Sequence, residues 1–134
     1  MVQTSNLHFI VIDDSKLDCF IAEKIIRNSG GIDSIKSFLQ AKEALQYIAT
    51  ARPEDVAHTI VMVDIQMPVM NGFEFVEAFE KFSPEIKKNY TLYVISSSIN
   101  DNDLNRVQNY SSVKQFINKP LTNNSLIQLL ENPI

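Results

Sequence analysis

Thr59-Ile60-Val61-Met62-Val63-Asp64-Ile65-Gln66-Met67-Pro68-Val69-Met70-Asn71-Gly72 is the stretch whose reading decides the fold. Ile60 to Val63 is a continuous apolar, partly β-branched run, the pattern of a strand covered on both faces within a parallel sheet. The run ends in a single carboxylate, Asp64. Met67-Pro68 and Asn71-Gly72 then break the chain into a loop, and the amphipathic segment after Gly72 reads as a helix. Asp64 therefore stands where a strand hands over to a βα loop, the edge at which open α/β sheets take up ligands.

The same alternation runs through the chain on either side. Leu7 to Ile12 reads as a first strand ending in Asp13-Asp14-Ser15, followed by a helix with Leu17, Phe20, Ile21 and Ile25 at helical spacing and a stop at Gly30-Gly31. Ser34 to Phe38 alternates as a short strand. Ala41, Ala44, Leu45, Ile48 and Ala49 share one helical face, closed by Pro53. After the Asp64 strand, Phe75, Val76, Phe79 and Phe82 mark a third helix, and Pro84 to Asn89 reads as a polar connector. Tyr90 to Ile95 is a fourth strand ending in Ser96-Ser97-Ser98, and Asp101 to Tyr110 is a polar helix anchored by Leu104 and Val107. Val113 to Ile117 is a fifth strand ending in Asn118-Lys119-Pro120, and Ser125 to Leu130 a last short helix. Five strands alternating with five helices predict one α/β domain over residues 1–134, a doubly wound (βα)5 parallel sheet of order 2-1-3-4-5. That order gathers Asp13, Asp14, Asp64, Ser96 and Lys119 at one edge.

Composition narrows the function. A net charge of -4 and no Lys/Arg cluster oppose a nucleic-acid surface. No apolar run approaches a membrane span, and residues 1 to 8 lack a signal peptide's basic start and apolar core, so a cytoplasmic protein is expected. The single cysteine, Cys19, excludes an internal disulfide or a cysteine metal cage and reads as a buried, inert thiol. Three carboxylates brought together repel unless a cation sits among them, here Lys119 or a divalent ion. Oxygen ligands without nearby His or Cys favour Mg²⁺, with Mn²⁺ possible, over zinc. Mg²⁺ usually keeps company with phosphate, and a carboxylate nucleophile can accept a phosphoryl group as an aspartyl phosphate.

These residues together resemble the receiver domains of two-component response regulators, of the chemotaxis, flavodoxin-like type. The likeness rests on Asp13-Asp14 after strand one, Asp64 followed by Met67-Pro68 and Asn71-Gly72, Ser96 after strand four, and Lys119-Pro120 after strand five. It implies that Asp64 accepts a phosphoryl group from a histidine kinase or phosphotransfer protein. It implies that Asp14, Asp64 and the backbone carbonyl of Gln66 hold Mg²⁺ directly, with Asp13 acting through a metal-bound water. Ser96 and Lys119 would contact the phosphoryl group, Phe116 would be the aromatic that changes rotamer with Ser96, and the Lys119-Pro120 bond would be cis. Gln66 and Ser98 stand where the family tunes hydrolysis of the phosphoryl group. Ser at 96 and Phe at 116 replace the family's more frequent Thr and Tyr. The fifth helix runs into the C-terminus, so a stand-alone switch acting on a downstream protein target is expected, one that catalyses only its own phosphoryl transfer and hydrolysis.

Simpler readings exist for several of these residues. Asp14 and Ser15 could cap the first helix, with Asp18 completing a capping-box-like pair. Phe116 alone is more often core than switch, and Lys119 could be a surface lysine. Two other functions compete. A phosphatase with an aspartate nucleophile would want a second carboxylate at position 66, which is Gln. A flavin or nucleotide binder would want a phosphate loop after strand one, where Asp13-Asp14 would repel phosphate.

Overall fold

A computed structural model describes residues 7–98 and 100–131; the expected domain limits at residues 1 and 134 lie outside them. The five strands are β1 (Leu7–Ile12), β2 (Ile32–Phe38), β3 (Thr59–Asp64), β4 (Tyr90–Ser96) and β5 (Val113–Asn118). All pair in parallel, in the order β2-β1-β3-β4-β5. The helices are α1 (Lys16–Asn28), α2 (Ala41–Thr50), α3 (Gly72–Phe79), α4 (Pro84–Lys87), α5 (Asp101–Val107) and α6 (Asn123–Glu131), with a 3₁₀ turn at Pro53–Asp55.

The core has two layers, as a sheet covered on both faces requires. On one face Ile10, Ile12, Val61, Val63, Leu92 and Val94 meet α2 and α3 through Ala44, Ile48, Phe75, Val76 and Phe79. On the other, Phe9, Val11, Met62, Tyr93 and Ile95 meet α1 and α6 through Cys19, Ala22, Ile26, Leu126 and Leu129. β3 and β4 are buried almost throughout, which is why their sequences are apolar without alternation.

The structure differs from expectation at α4 and along α1. The expected polar connector at residues 84–89 contains the helical turn α4, because Ser83 accepts the Ile86 N–H and Pro84 occupies the first helical position; among the described residues there are thus six α-helices, not five. The loop ends at Asn71-Gly72 as expected: Asn71 is the extended N-cap and Gly72 the first residue of α3. Asn71 accepts the Glu74 N–H and the Glu74 carboxylate accepts the Asn71 N–H, a closed capping box. Along α1, the residues turned to the sheet are Cys19, Ala22 and Ile26, whereas Leu17 and Phe20 are more than 60% exposed. α1 does end at the glycines: Gly30 and Gly31 take φ +82° and +72°, the left-handed backbone that glycine adopts without cost.

Candidate functional site

Every strand of a parallel sheet ends at the same edge, so the residues that follow β1, β3, β4 and β5 meet there. Backbone bonds hold these ends in register beyond the strands themselves. The Asp13 N–H donates to Phe38 O, the Ile65 N–H to Ile95 O, and the Lys119 N–H to Ser96 O at 2.8 Å. The Lys119-Pro120 peptide is cis.

Lys119 is the hub. Its ammonium lies 2.6 Å from Asp13 Oδ2, 2.8 Å from Asp18 Oδ2 and 2.9 Å from Asp64 Oδ2. Burial alone would lower the pKa of this ammonium; hydrogen bonds to Asp13, Asp18 and Asp64 outweigh burial and hold it above the usual lysine range. Asp13 is buried and its carboxyl is pushed up by desolvation, a rise moderated by the Lys119 bond and by the Ser15 N–H, which donates to Asp13 Oδ1 at 2.9 Å. Asp64, also buried, accepts the Gln66 N–H on Oδ1 at 3.1 Å while Lys119 takes Oδ2. Asp14, by contrast, faces solvent. Oxygens of Asp13, Asp14 and Asp64 can lie within 4.8 Å of one another, a donor set that fits a hard divalent cation bound through oxygen.

Ser96, 1% exposed, ends β4 beside Asn118. Its hydroxyl is held by the turn that follows, accepting the Ser98 N–H at 3.1 Å and donating to Ser98 O at 3.2 Å. Phe116 pairs with Val94 across the sheet and packs half-buried against the α2–α3 core. The structure thus brings Asp13, Asp14, Asp64 and Lys119 into one cluster. Ser96 borders it at the end of β4, and Phe116 lies two residues back along β5.

Asp18 is the residue that the sequence reading left in a capping role. Ser15 does cap α1, accepting the Asp18 N–H, but the Ser15 N–H is taken by Asp13, and the Asp18 carboxylate turns to Lys119 instead. The available signal was positional: the first turn of the helix after β1 lies at the same sheet edge as Asp13. Cys19, one residue on, is buried with its thiol donating to Asp13 O, and desolvation pushes that thiol up to about 11, so it stays protonated and inert at neutral pH. Among the described residues no helix is long and apolar enough to cross a membrane.

The doubly wound parallel sheet sets clustered carboxylates and a lysine at its C-terminal edge, where open α/β sheets take up ligands. Residues 9–131 match the response regulator receiver domain, and the chain belongs to that family of signalling switches. It is similar to a crystal structure of a response regulator receiver protein from Dyadobacter fermentans, 30% identical, TM-score 0.85, covering 93% of this chain and 95% of that one. A two-component response regulator from Cytophaga hutchinsonii superposes with TM-score 0.86 at 25% identity, over 95% of this chain and 96% of that one. A protein-glutamate methylesterase/protein-glutamine glutaminase from Desulfotalea psychrophila is 36% identical over 72 residues, 54% of this chain. The chain spans only 18% of that enzyme's length.

Proposed function

We propose that Asp64 is the acceptor of a phosphoryl group delivered by the phosphohistidine of a histidine kinase or phosphotransfer protein. The observation that carries this reading is the convergence on the Asp64 carboxylate, at the mouth of a buried strand, of the Lys119 ammonium and of two further carboxylates suited to a divalent ion. A carboxylate oxygen of Asp64 attacks phosphorus, the P–O bond forms, the donor's P–N bond breaks, and the imidazole nitrogen keeps the electron pair. Asp13, Asp14, Asp64 and the carbonyl of Gln66 would hold Mg²⁺, which neutralises charge on the phosphoryl oxygens when bound. Lys119 exchanges part of its carboxylate contacts for a phosphoryl oxygen, a charge-assisted bond. The Ser96 hydroxyl leaves Ser98 to donate to another, and the displaced β4 end makes room for Phe116 to turn.

No side chain is needed as a general base, since the attacking carboxylate is ionised and positioning with electrostatics suffices. The protein in this reading turns over only its own phosphoryl group, in the cytoplasm, and signals through altered contacts with a downstream protein rather than with nucleic acid. Incubation with acetyl phosphate and Mg²⁺ should add one phosphoryl mass to the native protein. Asp64→Asn, which keeps the shape but removes the nucleophilic charge, should fold normally and gain none; undiminished labelling of that variant would place the acceptor elsewhere.

A further inference from the structure

We infer that Asp18 is a positioning residue for Lys119: it keeps the ammonium at the rim of the acidic cluster when a divalent cation claims Asp13 and Asp64. The inference rests on the reading of that cluster as a cation and phosphoryl site. An ammonium has three N–H donors, and in this structure each finds a carboxylate. Two of the three, Asp13 and Asp64, belong to the group that can gather a metal ion, and Asp18 does not. A cation entering that group competes with Lys119 for the same oxygens and repels its charge. Lys119 then needs another anchor, or it swings to solvent and is lost to the phosphoryl group.

Asp18 is placed to be that anchor. It sits in the first turn of α1 rather than on a strand end, and its side chain is 40% exposed against 8% for Asp64. Its carboxylate has no competing duty at the helix start, because the Ser15 N–H is already bonded to Asp13. Ile21, Ala22, Pro120 and Leu121 wall a pocket beside Asp18 and Lys119 and limit the directions in which the lysine stem can move.

The consequence has a sign. Without Asp18, Lys119 has only Asp13 and Asp64 to pair with and blocks the cation more strongly, so Mg²⁺ binds less well. The loss should depend on Lys119 being present, which a remote charge effect would not. The experiment is a double-mutant cycle read by amide chemical shifts during MgCl₂ titration, whose spectra also report folding. Asp18→Asn should raise the Mg²⁺ dissociation constant roughly three- to tenfold in the native background and less than about twofold in a Lys119→Met background. Asp18→Glu, which restores the charge on a longer stem, should recover most of the affinity, and Asp18→Ser serves as the uncharged variant if the amide does not fold. Equal losses in both backgrounds, or no loss in the native one, would overturn the role for Asp18 while leaving the cation site intact. Absence of any saturable Mg²⁺ binding to the native protein would instead overturn the reading of the site, and this inference with it.

Discussion

Asp13 and Asp14 are adjacent in sequence and opposite in environment. Asp13 is buried, bonded to Lys119 and to the Ser15 N–H; Asp14 faces solvent at the mouth of the cluster. Asp13 therefore already has partners that a metal would have to displace, whereas Asp14 is open to an approaching ion. Asp14→Asn should weaken Mg²⁺ binding by about tenfold or more, and Asp13→Asn by distinctly less. Equal losses in a titration would contradict the division of roles. At this scale the sequence made Asp64 and Lys119 legible, because Asp64 ends an apolar run, Lys119 follows the fifth strand ahead of a proline, and the parallel topology puts strand ends together. Asp18 was not legible as a lysine partner. Position 18 also suits a helix first turn, and its partner lies 101 residues away, so only the folded chain shows which role prevails.

The elements around the site owe their positions to local chemistry that composition only half discloses. The handover from β3 to α3 is tight: the Gly72 N–H donates to Ile65 O at 2.9 Å, and a Cβ on Gly72 would lie 2.6 Å from Asp64 O and 2.8 Å from Ile65 Cα. These are backbone atoms of Asp64 and of the residue after it, so they cannot step aside as a flexible side chain would. Gly72→Ala should cost about 1–3 kcal/mol in urea unfolding and slow acetyl phosphate labelling by displacing Asp64. A variant with native stability and native labelling would show the close approach to be unimportant. In the same loop Val69 takes φ +68°, a strained backbone for a β-branched residue, at an exposed position. Nothing in the sequence pattern foretold it. The start of α3 after Asn71-Gly72 was readable, whereas the polar composition around Ser83-Pro84 masked the start of α4 as a connector.

For the whole molecule, parallel βαβ units followed from the alternation of apolar runs and amphipathic segments, and right-handed crossovers leave few strand orders, of which 2-1-3-4-5 is one. Which face each helix covers did not follow from it. On α1 large exposed side chains, Leu17 and Phe20, carry the helical spacing, while smaller Cys19 and Ala22 join Ile26 in meeting the sheet. The two core layers lie beneath the site rather than in it, so stability and chemistry should separate. Phe79, 1% exposed, sits among Phe75, Phe82 and Tyr90. Phe79→Ala should cost about 3–5 kcal/mol in equilibrium unfolding. Labelling at Asp64, normalised to the folded fraction, should stay at the native level; a matching fall in the normalised rate would mean that the α3 layer positions the acceptor.

In the proposed function the phosphoryl group is carried on Asp64. An acyl phosphate can be trapped where it forms, because borohydride reduces the phosphorylated aspartate to homoserine, and peptide sequencing by mass spectrometry then reads the converted position. After treatment with acetyl phosphate and Mg²⁺, homoserine should appear at position 64 and not at Asp13, Asp14 or Asp18. Conversion at one of those three carboxylates, with residue 64 recovered as aspartate, would place the acceptor there and not at Asp64.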